Sequence, residues 1–307
     1  SDGGGSIRIP ASCCGLFGMK PSRGRVPMGP IRTEGWGGLS TNHAITRSVR
    51  DSAAMLDASH GIEPGSRYGA PTPDGTFLSQ VGKHPGKLRI ALMTRPIAGS
   101  PVDPECIDAA KAAAKLCESL GHHVEEAAPQ LDAALLGWAS FVSIGPAVAA
   151  DIADRCKVLG ITPGPDVVEP MVLAFAEYGK TFSAMDAARA SGVLQDAAIK
   201  VARFMERFDL ILTPTLAAPP IALGRINLTP DCGFQEWGQR AAVYSPFCQL
   251  ANLTGQPAMS VPLAQAKSGL PIGVMFTGRY GDEALLYRLA GQLEKALPWA
   301  GKRPQIA

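Results

Sequence analysis

Leu88-Arg89-Ile90-Ala91-Leu92-Met93 reads as a buried strand, and the segment behind it points to the architecture. Asp103 is placed to cap a helix and Pro104 stands at its first position. Ala109, Ala113, Leu116 and Leu120 recur at helical spacing until Gly121 stops the helix, and Val124 then opens a second short strand. A strand, a capped amphipathic helix and another strand form the repeating unit of an α/β sheet. Toward the C-terminus, residues 131–178 read as mainly helical, with a break at the Pro/Gly cluster of 160–165. Residues 184–208 form a long amphipathic helix with Ala187, Leu194, Ala198, Val201, Met205 and Phe208 on its inner side. Leu210-Ile211-Leu212-Thr213 is a strand stopped by Pro214, and residues 216–245 read as irregular loop. Ala258–Val261 and Ile272–Phe276 are strands close enough for a hairpin; Asp282 caps a last helix carrying Leu285, Leu286, Leu289 and Leu293, closed by Pro298. Toward the N-terminus, Thr46–His60 is helical with Val49, Ala53, Leu56 and Ala58 inward, 61–86 is loop, and a short helix starts near Ala11-Ser12-Cys13-Cys14. The expected fold is α/β, a mixed β-sheet covered by helices on both faces, in a single domain over residues 1–307 without internal repeats.

The 307 residues are 46% apolar, enough for a large core, and the net charge is +2, with no basic run interleaved with the 6% of aromatics. That argues against a nucleic-acid partner. The longest apolar stretches are broken by Gly, Pro or charge before the ~18 residues a membrane span needs, so no membrane partner is expected either. Seven cysteines at 13, 14, 106, 117, 156, 232 and 248 make no C-x-x-C spacing. They read as free thiols in a reducing cytoplasm, with no metal site and no cofactor. The start, Ser1-Asp2-Gly3-Gly4-Gly5-Ser6, carries no basic flank or apolar run of a targeting signal.

That start is also the strongest chemical feature. Three glycines open backbone conformations closed to other residues and expose successive N–H groups, a row of donors that can hold a developing oxyanion. A serine directly behind them stands where an acyl-transfer nucleophile is needed. Alone, the pattern is equally that of a glycine-rich turn ended by an ordinary serine. The nucleophile-elbow and dinucleotide-binding patterns both fail, because Arg8 stands where each needs a glycine. The five histidines, at 43, 60, 84, 122 and 123, have no spacing that supplies a base, and read as structural or surface groups.

Three islands in order change the weighing. Ser1-Asp2-Gly3-Gly4-Gly5-Ser6-Ile7-Arg8-Ile9-Pro10-Ala11, continuing to Lys20-Pro21-Ser22 and Gly24-Arg25, resembles the second half of the amidase signature. Asp209-Leu210-Ile211-Leu212-Thr213-Pro214-Thr215 and Asn252-Leu253-Thr254-Gly255-Gln256-Pro257-Ala258 resemble later segments of the same family. The resemblance implies a serine amidase with a Ser–cis-Ser–Lys triad acting on a small amide. Ser6 is then the nucleophile, the amides of Gly3, Gly4, Gly5 and Ser6 the oxyanion hole, and Ser1, Asp2 and Arg8 polar supports of the loop. Asp2 and Arg8 together suggest a buried ion pair. The family usually has Thr in place of Gly3.

The family's lysine and bridging serine lie upstream of the motif that begins this chain. Lys20 falls in the Lys-Pro-Ser segment, where a structural role is expected. The chain is therefore expected to be an N-terminally truncated portion, catalytically incompetent alone, with sheet strands missing upstream. Cys13 and Cys14 are candidates for reactivity if they sit at a helix N-terminus, Cys248 for a place near the pocket, Thr213 and Thr215 for lining the cleft, and Trp237 for a lid or a cap on the core. Leu297-Pro298-Trp299 with Arg303-Pro304-Gln305 and the Asp103-Pro104-Glu105-Cys106 helix start resemble 6-aminohexanoate-cyclic-dimer hydrolases. The alternatives are an A-type subunit of glutamyl-tRNA amidotransferase, against which the lack of tyrosine in 180–208 argues, and a non-catalytic remnant. A homodimer is compatible with the sequence.

Overall fold

The computed structural model describes residues 1–229 and 231–303. Seven strands form one mixed sheet in the order β2-β1-β6-β7-β5-β3-β4. They are β1 (Phe17–Lys20), β2 (Ile45–Thr46), β3 (Arg89–Leu92), β4 (His123–Glu126), β5 (Leu210–Pro214), β6 (Ala258–Gln265) and β7 (Pro271–Gly278). β3 pairs in parallel with β4 and β5, whereas β5–β7, β7–β6, β6–β1 and β1–β2 are antiparallel. The expected hairpin is β6–β7; β6 runs on past Val261 to Gln265, and β7 extends beyond its apolar run at both ends.

Alternation along the strands divides the core in two. Ile90, Leu92, Leu210, Leu212, Met259 and Phe276 face one side, under α2 (Val49–Ser59), α4 (Pro104–Ser119) and α10 (Glu283–Ala296). Ala91, Met93, Ile211, Ala258 and Met275 face the other, against Val201 of α7 (Ala184–Phe204) and Ala251 of α9 (Gln249–Thr254). The sheet is thus covered on both faces. α4 starts as its sequence dictates: Pro104 occupies the first turn and the Asp103 carboxylate accepts from Glu105 N–H at 2.8 Å. Asp282 likewise caps α10, accepting from Leu285 N–H at 3.3 Å.

Several expectations need correction. Residues 61–86 and 216–245 are not all loop: Phe77–Gln80 is a short helix, α3, and Phe234–Tyr244 is a helix, α8. Phe234, Trp237, Ala241 and Tyr244 do recur at helical spacing, but α8 is short, contains Gly238 and follows a stretch rich in Pro and Gly, and none of its residues is buried. The first helix, α1, runs Arg8–Cys13, earlier than expected, and places Cys13 and Cys14 at its C-terminal end, away from the N-terminal field that would activate a thiol. Ala58 of α2 and Ala187 of α7 are exposed, and α7 ends at Phe204, its buried residues being Ala190, Ala197 and Val201. The sequence reading offers no strand at β1 or β2: β2 is two residues long, and β1 is buried on both faces, so it shows no alternation. α5 (Ala133–Leu159) is long and apolar enough to cross a membrane by length and composition, contrary to the sequence reading, with 33% of its most apolar window buried. Ala133–Ala150 carries no charge, and Gly137, Gly145 and Pro146 do not interrupt the helix. It packs on α6 (Pro170–Gly179) and α7, with Gly145 and Gly179 in backbone contact. The Pro304-Gln305 part of the C-terminal resemblance lies outside the described residues. All seven cysteines are free.

Candidate active site

The Gly-rich loop is built around one carboxylate. Asp2 is fully buried and accepts from Gly5 N–H (2.7 Å), Ile7 N–H (3.1 Å), Arg8 Nε (3.1 Å) and Nη2 (3.0 Å), and Asn252 Nδ2 (2.9 Å). Its backbone is held too, Asp2 N–H donating to the Thr41 carbonyl at 2.8 Å and Thr41 N–H to the Asp2 carbonyl at 3.1 Å. Arg8, also fully buried, gives its other donors to the Cys248 carbonyl (2.7 Å), Met275 Sδ (3.4 Å) and Asn252 Oδ1 (2.6 Å). A charged pair out of water is tolerable only when such partners complete its shell. Burial pushes the Asp2 carboxyl up, but the Arg8 guanidinium and the further donors outweigh it and hold the group well below the usual carboxylate range. Burial likewise opposes the Arg8 charge, and Asp2 more than offsets it.

The glycines have different reasons to be glycine. Gly5 has φ +131°, and a Cβ there would meet Ile9 Cδ1 at 2.7 Å and Cys248 Cβ at 2.8 Å. A Cβ on Gly3 would overlap the ring of Trp36, itself a non-glycine residue with φ +53°. Gly3 in place of the family's usual Thr is therefore matched to Trp36 lying across the loop. Gly4 has open space at its Cβ position and borders a cavity. Ser6 follows with its side chain exposed, and Ser1 is exposed as well. The Gly5 N–H, expected among the oxyanion donors, is instead given to Asp2.

The cavity beside Gly4 has a volume of about 500 Å³ and lies between α5, α6, α8 and the start of α9. Trp36, Phe141, Ile144, Met171 and Phe175 give it an apolar wall, and no charged residue lines it among the described residues. Trp237 lines it from α8, its Nε1 donating to the Asn227 carbonyl at 2.8 Å. Thr213 and Thr215, expected at the cleft, are buried in the sheet, where Thr215 Oγ1 bonds Ser260 Oγ at 2.9 Å. Cys248 is buried behind Gly5, and burial pushes its thiol up to about 12. Lys20 is 1% exposed and donates to the Pro21 carbonyl at 2.7 Å; burial and the nearby Arg8 push its ammonium down to about 7. Among the histidines, His122 is structural, accepting from Leu88 N–H at 3.2 Å. His43 sits in a bonded group with Ser52 and Tyr287, where burial pushes it down to about 4. No cluster of three or more metal-ligating side chains exists among the described residues.

Sequence reasoning found Asp2 and Arg8 but gave Asn252 no role. The signal was present, because Asn252 opens one of the matching islands. Its duty becomes visible only when residues 250 positions apart meet.

The profile of the family described as Amidase matches residues 1–287. A 6-aminohexanoate-cyclic-dimer hydrolase of Paenarthrobacter ureafaciens is 35% identical over 321 residues, covering 100% of this chain and 64% of its own length. A putative amidase, AmiB2, of Mycobacterium tuberculosis (strain ATCC 25618 / H37Rv) is 36% identical over 318 residues, covering 100% of this chain and 63% of its own length. Among solved structures, a 6-aminohexanoate cyclic dimer hydrolase superposes with a TM-score of 0.92 at 34% identity, over 99% of this chain and 65% of that one. The chain thus spans somewhat less than two thirds of the length of the relatives it matches.

Proposed function

The chain belongs to the amidase family, and on that premise we propose that it carries the nucleophile and oxyanion loop of an enzyme hydrolysing the C–N bond of small, uncharged carboxylic amides, cyclic ones included. The observation that carries this reading is the loop itself. A buried Asp2–Arg8–Asn252 lattice fixes Gly3–Ser6, and Gly4 opens onto an uncharged cavity.

In this reading the Ser6 hydroxyl adds to the amide carbonyl as its proton is removed. The carbonyl oxygen becomes an oxyanion within reach of the free Gly3, Gly4 and Ser6 amides. Collapse breaks the C–N bond, the amine leaves with a proton, and water hydrolyses the Ser6 ester. A lysine acting through a bridging serine supplies the proton transfers. No Gly-Ser-Ser-Gly-Gly-Ser segment occurs in the 307 residues, and Lys20 is buried at the end of β1 with its ammonium on the Pro21 carbonyl. The proposal therefore places that lysine and serine outside these residues and makes the chain inactive alone. An amidotransferase A-type role is disfavoured by the cavity, because a free amino acid brings two charges that need counter-charges in a dry site.

The test is intact-mass analysis after a fluorophosphonate probe, on this chain and on the same chain extended upstream through its reading frame. One adduct on the extended protein, lost in Ser6→Ala, is expected, with the 307-residue chain unlabelled. A folded extended protein that takes no label sinks the hydrolase reading in favour of a non-catalytic remnant.

A further inference from the structure

Trp36 lies against Gly3 in a backbone conformation that it does not hold by itself. Its φ is +53°, and Gly37 and Gly38 follow at +64° and +85°. A non-glycine residue keeps such a φ only where its surroundings impose it. Trp36–Gly38 is a single 3₁₀ turn, too short to supply that restraint from its own hydrogen bonds. Two groups hold the turn from outside. Asn252 Nδ2 donates to the Leu39 carbonyl at 3.0 Å, and Arg23 Nε donates to the Gly38 carbonyl at 2.5 Å. The same guanidinium sends Nη2 to the Asn252 and Leu253 carbonyls, at 2.9 and 3.0 Å, in the last turn of α9. Its backbone is anchored there too, Arg23 N–H donating to the Gly255 carbonyl at 3.0 Å. Room is left for the side chain: a Cβ on Gly38 would meet Arg23 Cδ at 3.1 Å, and one on Gly255 would meet Arg23 Cβ at 3.3 Å. Arg8 and Arg25 are each paired with a buried carboxylate, Asp2 and Glu283. Among the described residues Arg23 has no acid within salt-bridge distance, and burial pushes its pKa down. A half-buried cation that spends its donors on main-chain carbonyls is placed for geometry, not for neutralising an acid.

We propose that Arg23 is a positioning residue, which holds Trp36 over Gly3 through the Gly38 carbonyl and so fixes the Gly3 end of the nucleophile loop. This rests on the amidase reading above and adds a residue to the machinery of that same site. The guanidinium is planar and rigid, so Nε and Nη2 point at their two targets from one fixed fork. It therefore ties the turn at Gly38 to the end of α9 at a set distance. α9 is itself locked to the loop, because Asn252 Nδ2 donates to the Asp2 carbonyl and carboxylate at 2.9 Å each. A ring of contacts results, running from Asp2 through Asn252, Arg23 and Gly38 to Trp36 and back to Gly3. Without the fork, the three residues at positive φ can relax, Trp36 withdraws from Gly3, and the Gly3 amide is free to turn.

The experiment incorporates fluorotryptophan into the full 307-residue chain, whose four tryptophans are Trp36, Trp138, Trp237 and Trp299, and records fluorine NMR spectra. The Trp36 signal is the one lost in Trp36→Phe. In Arg23→Met, which keeps most of the stem and removes the donors, that signal is expected to move toward its position in the urea-unfolded chain. Trp138 and Trp299 are expected to keep theirs. Arg23→Lys, which keeps the charge without the fork, should show the same displacement, and it carries the measurement should the methionine variant not fold. In the protein extended upstream, the saturating rate of fluorophosphonate labelling at Ser6 should fall about tenfold or more, with the half-saturating probe concentration unchanged. A Trp36 signal unmoved in a folded variant, all four signals displaced together, a displaced Trp36 with an unchanged labelling rate, or failure of both variants to fold overturns the proposal. The amidase reading fails separately, through absence of any adduct on the wild-type extended protein. The fluorine signals then decide alone whether Arg23 places Trp36.

Discussion

Asp2→Asn is the sharpest perturbation of the loop, because it keeps shape and removes charge. The carboxylate takes hydrogen bonds from Gly5, Ile7, Arg8 twice and Asn252, at 2.7 to 3.1 Å, with no exposure to water. The replacing carboxamide keeps one acceptor oxygen but turns an NH2 toward groups that are themselves donors, and it leaves Arg8 as a buried charge without its counter-ion. Removing one partner of a buried pair typically costs ~3–5 kcal/mol. That is a large share of the ~5–15 kcal/mol that holds a domain folded. The assay is urea unfolding followed by tryptophan emission, with the midpoint falling and the slope unchanged. Adding Arg8→Met to Asp2→Asn removes the orphan charge, so the double variant should be ~1–3 kcal/mol more stable than additivity of the singles implies. The pH dependence has a definite sign. The folded Asp2 pKa lies below its ordinary value, so its stabilisation is fully present above about pH 4 and is lost as pH falls through the folded pKa. The gap between wild type and Asp2→Asn should close in acid. A loss below ~1 kcal/mol at pH 7, or strict additivity with Arg8→Met, would refute the view that this pair frames the loop.

Lys20→Met tests the opposite electrostatic case. The folded Lys20 pKa is lowered to about 7, so the unfolded chain binds the extra proton between that pH and its ordinary value. Wild-type stability should gain from this group as pH rises from about 7 toward about 10, by up to about 5 kcal/mol, and Lys20→Met should lack that rise. Urea midpoints of both proteins at pH 7 and pH 9.5 decide it, and parallel changes would refute the assignment. Gly179→Ala places a methyl inside the Gly145 backbone, where neither helix can yield by a rotamer change. It should cost about 1–3 kcal/mol by overpacking, more than the helix propensity gained, and a neutral or raised melting temperature would count against that close approach.

Much of the architecture was legible because strong local signals agreed with the global fold. Asp103-Pro104 and Asp282 cap helices where their spacing says they should, and Leu210–Leu212 and Ile272–Phe276 are sheet strands. What escaped had weak local patterns. β1 is four residues and gains its strand geometry from β6, and the short α8, with Gly238 inside it, is hidden by the Pro- and Gly-rich stretch before it although its apolar residues keep helical spacing. Ala58 and Ala187 fit the period but not the interior, because alanine tolerates either side and periodicity alone does not rank it. In the site, the loop sequence pointed to an ion pair between Asp2 and Arg8. It could not assign the Gly5 N–H to Asp2, since which amides remain free depends on the turn the chain takes after Gly4.

A row of glycine amides is useful to an oxyanion only if the row cannot relax, and glycine is the residue least able to hold itself still. Here the restraint comes from elsewhere in the chain. Asp2 fixes Gly5 and Ile7 from one side, Trp36 closes on Gly3 from another, and the α9 segment of Cys248 and Asn252 locks Arg8 from below. α9 in turn leads into β6, which pairs with β1, the strand that follows the loop and α1. The site therefore closes a circuit through the middle of the sheet. Its rigidity belongs to the packing of both ends of the chain, and the Gly5 amide given up to Asp2 helps to keep the amides of Gly3, Gly4 and Ser6 in place.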